Sequence, residues 1–116
     1  MPFQPGEIYL AFAGGDKYRP VLIVSREELN QGNYVVAIPF TSTHFETRSK
    51  LPNCVPFHAG EFGLDKDSVA QAEAISAIHK DDFDLQTGVI ATVDEEKMRE
   101  VTKAIGYLIV ADCEPE

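Results

Sequence analysis

Hydrophobic and polar positions in the first two thirds of the chain follow the short-period pattern of a β-rich protein. Residues 7–12 alternate as a half-buried strand does, and residues 34–40 form the most apolar segment. Residues 21–24 are apolar without alternation, which predicts a strand of about residues 21–25 that is buried on both faces. Further short strands are predicted at residues 54–59, 67–75 and 88–91. The alanines within the second of these are also compatible with a helix.

The period of the pattern changes after Asp94. Apolar residues then recur at steps of three and four, with charged residues opposite them, which predicts an amphipathic helix. Asp94 is the predicted N-cap, because its carboxylate can accept from a free backbone N–H of the first turn. We expect this helix to end near Gly106 and residues 107–110 to be extended.

Turn residues and polar segments separate these elements. Glycines at 14 and 15 break the first strand, residues 27–32 predict a turn or a single helical turn, and residues 60–63 predict a turn. Residues 81–84 predict a helical turn, whereas residues 41–50 are polar without either period and predict an exposed loop. Short strands, one helix and no alternating βαβ units indicate a mainly β (β+α) class. We expect a small SH3-like barrel of bent, mostly antiparallel strands with a C-terminal amphipathic helix.

Length and composition fit one domain over residues 1–116, because 44% of the residues are hydrophobic. The chain has neither the start of a signal peptide nor an apolar run of about 18 residues, so we expect a cytoplasmic protein that does not bind membranes. Cys54 and Cys113 are too few and too far apart for a disulfide framework, and both are predicted to be free thiols.

The net charge of −9 is unevenly distributed. Residues 1–60 contain five acids and five bases, so the whole excess belongs to the remaining residues. Four of the bases lie in predicted loops and could form a locally positive groove: Lys17, Arg19, Arg48 and Lys50. Dispersed, solvated side chains are the alternative.

Arg19 is the basic residue with the most defined surroundings. Pro20 biases it toward extended geometry and the buried strand follows at once, so the scaffold should hold its backbone at the strand entrance. Its planar, permanently charged group suits a phosphate or a carboxylate. A surface ion pair at the start of a strand is the alternative interpretation.

Other chemistries have weaker signals. His44, His58 and His79 are dispersed without paired ligands, so we expect no metal site, and no motif indicates a cofactor. Cys54 has no activating neighbour in the sequence, which favours a buried, inert thiol.

Four segments, in this order and spacing, resemble the MazF/PemK (Kid) toxins of bacterial type II toxin-antitoxin systems. They are Pro5-Gly6-Glu7-Ile8-Tyr9, Arg19-Pro20-Val21-Leu22-Ile23-Val24-Ser25, Val36-Ala37-Ile38-Pro39-Phe40-Thr41-Ser42 and Gly63-Leu64-Asp65-Lys66-Asp67-Ser68-Val69. The resemblance extends from about residue 6 to residue 108. It implies a homodimeric, metal-independent endoribonuclease that acts on single-stranded RNA and is neutralised by a small antitoxin protein.

The resemblance also implies the site. It assigns catalysis to Arg19 and Thr41, and in some members to an acid at the position of Glu73 and an arginine at that of Gln71. With the neighbouring loops, the predicted substrate-binding residues are Lys17, Tyr18, Ser42, Thr43, Arg48 and Lys50. Glu73 is a candidate base if it points into the groove, and a solvated carboxylate otherwise.

The chain departs from the family in the short loop at residues 13–18 and in Ser76, where the family has an arginine. A second hypothesis therefore stays open. A catalytically weak barrel could act as a protein-binding toxin or interaction module, as the CcdB toxins do.

Overall fold

Seven antiparallel strands and a C-terminal helix make up the part of the chain that the computed structural model describes, residues 3–12 and 17–109. The strands are β1 Glu7–Ala11, β2 Arg19–Ile23, β3 Tyr34–Thr41, β4 Cys54–Phe57, β5 Ser68–Gln71, β6 Ser76–His79 and β7 Ala91–Thr92. The α-helices are α1 Phe45–Arg48 and α2 Glu95–Leu108. Single 3-10 turns occupy Glu27–Gln31, Glu61–Gly63, Ala72–Ala74 and Lys80–Asp82.

Strand β3 organises the sheet. Strand β2 pairs along one of its edges, and β6 and then β5 pair along the other, in the order β4-β5-β3-β2-β1-β7 with β6 beside β3. A bridge between Ala11 and Phe83 joins the end of β1 to the segment that follows β6, which curls the sheet on itself. This curled, antiparallel, mainly β architecture with a C-terminal helix confirms the predicted fold class.

The two faces of β2 and β3 fill two hydrophobic clusters because side chains alternate along a strand. Leu22 and Ile38 point to the larger cluster, which packs against α2. Val21 and Ile23 point to the smaller one, which contains the rings of Phe3, Tyr9 and Phe83. The last three residues of β2 have no exposed surface, so the prediction of a strand buried on both faces is confirmed, although β2 begins and ends two residues earlier than predicted.

Helix α2 is positioned by its cap and by its apolar face. The Asp94 carboxylate accepts from the backbone N–H of Lys97 at 2.8 Å, which confirms the predicted N-cap. Val101 and Ala104 are buried against the sheet. The predicted end near Gly106 was wrong, since the helix continues to Leu108, whose side chain packs against the larger cluster. Residues 3–12 and 17–109 contain no helix that is both long and apolar enough to cross a membrane.

Local pairing corrects several predicted boundaries. The loop at 41–50 contains one turn of helix, α1, because His44 adopts a left-handed φ of 55° and its carbonyl accepts from the N–H of Arg48. The last strand lies at Ala91–Thr92 rather than at 88–91. Its two residues pair with Ile8 and Glu7 of β1. The alternatives left open for 67–75 are both realised, as strand β5 followed by a 3-10 turn.

Strand β6 has no counterpart in the sequence predictions. Ser76 and Ala77 are exposed, so the segment lacks an apolar pattern, and its strand geometry comes from pairing with the first half of β3. Three further predictions fall outside the described residues: the break at Gly14 and Gly15, the extended geometry of Val110 and the free thiol of Cys113.

Candidate functional site

Arg19 is the first residue of β2 and is exposed. Its backbone is fixed by pairing with Ala11 in β1, and Pro20 follows it in the strand. Since Val21, Leu22 and Ile23 anchor β2 in both clusters, the guanidinium is carried at the end of a rigid element. The predicted position of Arg19 at the entrance of the buried strand is confirmed.

Thr41 is the last residue of β3 and half-buried. Strands β2 and β3 are antiparallel with Val21 opposite Pro39, so the start of β2 lies beside the end of β3. The Thr41 Oγ1 accepts from the backbone N–H of Thr43 at 3.2 Å. Because a hydroxyl can donate while it accepts, the Thr41 proton stays available to a ligand.

A cleft of about 420 Å³ opens at these strand ends. Four of the residues predicted from the sequence line it: Arg19, Thr41, Ser42 and Thr43. Leu10, Pro20, Phe40 and Ile90 contribute apolar lining, and residues 63–66 and Ser68, from the segment that leads into β5, complete it. The cleft therefore combines a cation and several hydroxyls on a rigid apolar base.

The turn at Gly63, which lines the cleft, requires a glycine. Gly63 has a φ of +75°, and a Cβ there would lie 2.6 Å from Cγ2 of Ile90. Only glycine meets both the backbone and the steric requirement without displacing its neighbour. The next residue, Leu64, is buried in the larger cluster, so the turn is held close to the strand ends.

The charge of the cleft differs from that of the whole protein. Its lining carries two cations, Arg19 and Lys66, and one carboxylate, Asp65, whereas the protein has a net charge of −9. Within the described part of the chain, neither cation has a carboxylate at ion-pair distance. An anionic ligand would thus meet positive charge that the described residues do not neutralise.

Sequence reasoning missed Asp65 and Lys66. The available signal was their position in the Gly63-Leu64-Asp65-Lys66 segment, where a charged pair follows a turn glycine and precedes a buried strand.

The remaining predicted binding residues do not line the cleft. Lys17 and Tyr18 directly precede Arg19, and the Tyr18 ring packs on Phe12 with 4.2 Å between centroids. Arg48 ends α1, and the exposed Lys50 follows it. These four residues lie near the lining residues in sequence, two before Arg19 and two after Thr43.

Glu73 also lies outside the cleft lining, in the 3-10 turn after β5. Its two carboxylate oxygens accept from the side-chain amides of Asn53 at 2.7 Å and Gln71 at 2.9 Å. Burial raises the pKa of the Cys54 thiol, the Glu73 charge raises it further, and the Arg48 charge lowers it. The structure thus groups Glu73 and Arg48 around the buried Cys54 rather than around Arg19 and Thr41.

A metal site has no support in the described residues, which bring no three His, Cys, Asp or Glu side chains together at coordinating distance. His58 approaches Asp67 at 3.9 Å and His79 approaches Asp81 at 3.6 Å, both at exposed positions and apart from the cleft.

The curled antiparallel sheet, its C-terminal helix and a polar cleft at the strand ends define a MazF-like fold. The chain belongs to the family described as PemK-like, MazF-like toxins of type II toxin-antitoxin systems, whose model matches residues 4–109. This family is known for endoribonucleases. A comparison with curated protein sequences gave no match.

Solved structures of the same fold cover nearly the whole chain. A Mycobacterium tuberculosis toxin, MazF-mt6, has a TM-score of 0.72 and 27% identity over 87% of this chain and 93% of that chain. An endoribonuclease in complex with its cognate antitoxin, from a mycobacterial species, has a TM-score of 0.73 and 23% identity over 90% and 92%. A MazE-MazF structure from Deinococcus radiodurans has a TM-score of 0.68 and 22% identity over 93% and 95%.

Proposed function

We propose that this protein is an endoribonuclease that cleaves single-stranded RNA without a metal ion, with Arg19 and Thr41 acting on the scissile phosphate. One observation carries the proposal: both residues line the same cleft, each at the end of a packed strand. A cation and a hydroxyl donor that face one space can bind one phosphate together. Membership of the toxin family supports the same reaction class.

The reaction needs no nucleophile from the protein, because RNA supplies its own. The 2′-oxygen attacks the adjacent phosphorus, a 2′,3′-cyclic phosphate forms and the bond to the 5′-oxygen breaks. The proton of the 2′-hydroxyl passes to solvent water, and the departing 5′-oxygen takes one from solvent water. The protein therefore has to align the strand and stabilise the charge that grows on the phosphate oxygens.

Arg19 suits that task because its planar group donates two parallel hydrogen bonds to phosphate oxygens. Thr41 adds a neutral donor whose direction is set by the hydrogen bond from the Thr43 N–H. Removing one donor of this kind from an anion-stabilising site commonly lowers the rate about 10²- to 10³-fold. Ser42 and Thr43 lie next to Thr41 and would contact the same stretch of strand.

The flanking residues have a supporting part in this proposal. Lys17, Tyr18, Arg48 and Lys50 would meet the RNA where it leaves the cleft, the three cations at phosphates and the exposed Tyr18 ring against a base. Glu73 has no part in the proposed step, because its carboxylate faces Asn53 and Gln71 outside the cleft lining.

The family also suggests the biological setting. We propose that a small antitoxin protein neutralises this one in the cytoplasm, and that the active form is a homodimer. Support comes from the toxin-antitoxin family to which the chain belongs and from similar structures whose names include an antitoxin or MazE.

A second candidate function is a protein-binding toxin or interaction module without efficient cleavage. The position of Glu73 favours it, because the carboxylate expected to act as base is absent from the cleft lining of the described structure. Asp65 is the one acid among the described residues that line the cleft.

A cleavage assay in EDTA tests the enzyme proposal. Native protein should cleave single-stranded RNA and leave a 2′-O-methyl copy intact, since that copy lacks the nucleophile. Arg19→Ala should lose about 10²-fold or more in rate. Arg26→Ala is the matched control, because Arg26 is exposed beyond the opposite end of β2 and should cleave like the native protein.

Three results would count against the proposal. They are survival of the RNA with native protein, cleavage of the 2′-O-methyl copy, and equal rates for Arg19→Ala and Arg26→Ala. A Glu73→Gln variant separates the roles further. A general base contributes about 10²- to 10⁴-fold, so a smaller loss confirms that Glu73 stays outside the step.

A further inference from the structure

The cleft that contains Arg19 and Thr41 is lined by a second cation, Lys66. Lys66 lies in the turn between Gly63 and β5, is exposed and lines the same cleft as Arg19. The family resemblance of the 63–69 segment gives this lysine no role, and neither charge pattern nor periodicity selects it.

The backbone of Lys66 is held on both sides. Leu64 is buried in the larger hydrophobic cluster, and Ser68 is buried at the start of β5, where it pairs with Phe57. The Ser68 hydroxyl donates to the carbonyl of Lys66 at 2.9 Å. Asp67, between them, accepts from the backbone N–H of Ala59 at 2.8 Å. A lysine on such a fixed turn loses little backbone entropy when it binds a ligand.

Lys66 makes the net charge of the residues that line the cleft positive. Without it, the charges that line the cleft would be Arg19 and Asp65, which cancel, on a protein with a net charge of −9. A polyanion would then meet no positive potential beyond the single guanidinium. With Lys66, two cations line one cleft, which suits binding of more than one phosphate of a strand.

We propose that Lys66 binds a backbone phosphate next to the scissile one and thereby sets the path of the RNA across the cleft. This inference rests on the proposed function, because it takes single-stranded RNA as the ligand. Lys66 contacts substrate in a binding role and takes no part in proton transfer. A phosphate contact carries no sequence information, so its contribution is the same for every RNA sequence.

Binding of a mixed-sequence 2′-O-methyl oligonucleotide, measured by fluorescence anisotropy over a series of salt concentrations, tests the proposal. Lys66→Gln should weaken binding about fivefold at low salt, near the upper limit for one exposed ion pair. The slope of log affinity against log salt should fall by about 0.7, the value for one phosphate of a single strand. Lys66→Arg should restore both.

Lys103→Gln is the matched control, because Lys103 is exposed on α2 and does not line the cleft. It removes the same net charge and should leave affinity and slope unchanged. If Lys66→Gln and Lys103→Gln behave alike while the native protein binds and cleaves RNA, the inference is wrong and the proposed function stands. If the native protein neither binds nor cleaves RNA, both fall together. Equal thermal midpoints for the variants exclude unfolding as the cause of any loss.

Discussion

At the scale of single residues, the surroundings of Glu73 determine what its carboxylate can do. Two amide side chains donate to its oxygens, and the nearby thiol of Cys54 responds to its charge. The carboxylate disfavours the thiolate, whereas the Arg48 guanidinium favours it, so the two charges act on Cys54 with opposite signs. The pKa of Cys54 therefore reports where the Glu73 carboxylate points, independently of RNA cleavage.

We expect Glu73→Gln to lower the pKa of Cys54 and Arg48→Gln to raise it. Burial, the largest cause of the raised pKa, stays the same in both variants. A Cys113→Ser background leaves Cys54 as the only thiol of the sequence, and the pH dependence of the thiolate absorbance reports its pKa. An unchanged pKa in Glu73→Gln would mean that the carboxylate points elsewhere in solution and would return it to consideration as the base.

At the scale of elements, helix α2 depends on its first turn. Asp94 supplies the one side-chain cap, and Val101 and Ala104, further along, bury the helix against the sheet. Fraying of the first turn would also loosen Lys97, whose ammonium donates to the carbonyl of Pro56 in β4 at 2.6 Å. The cap thus supports a contact between the helix and the sheet as well as the helix itself.

Asp94→Ala should lower the free energy of unfolding by about 1 kcal/mol, because the N–H of Lys97 loses its acceptor. Asp94→Asn keeps an acceptor oxygen and should cost less than half of that. Urea unfolding followed by circular dichroism measures both. Equal losses in the two variants would assign the effect to the charge near the helix dipole instead of to the hydrogen bond.

Sequence predicted the elements whose signal is local. The apolar runs of β2 and β3 and the helical spacing of α2 determine those elements wherever they pack. Strand β6 could not be predicted, because exposed Ser76 and Ala77 become a strand only through pairing with β3. Helix α1 is a single turn, too short to show a period.

The candidate site likewise contains residues that the sequence could predict and a residue that it could not. Arg19 and Thr41 stand at the ends of strands that the sequence defines, so a common position could be inferred before the structure was known. Lys66 reaches the cleft only because Gly63 allows the turn to approach Ile90, a contact between residues far apart in sequence. Proximity of that kind depends on the packed tertiary structure and leaves no periodic trace.

At the scale of the whole molecule, an acidic protein has to attract an acidic polymer. In the described structure, two exposed acids lie away from the cation at the start of β2. Glu27 and Glu28 come beyond the end of β2 opposite to Arg19. The four steps of strand β2 from Arg19 to Ile23 alone separate them by about 13 Å, at a rise of about 3.3 Å per residue. This exceeds the Debye length of about 8 Å at physiological ionic strength, so repulsion from these acids is screened there but extends to the cleft in dilute salt.

A double variant, Glu27→Gln with Glu28→Gln, should therefore speed RNA association at low salt, by less than about tenfold, and have no effect at about 0.15 M salt. Dissociation should be unchanged, because neither residue lines the cleft. Stopped-flow fluorescence with a labelled 2′-O-methyl oligonucleotide measures both rates, and Glu27→Asp with Glu28→Asp is the charge-conserving control. An equal gain in association rate at both salt concentrations, or a change in dissociation rate, would show that these acids touch the RNA or its path. The proposed separation of repulsive and attractive surfaces along β2 would then be wrong.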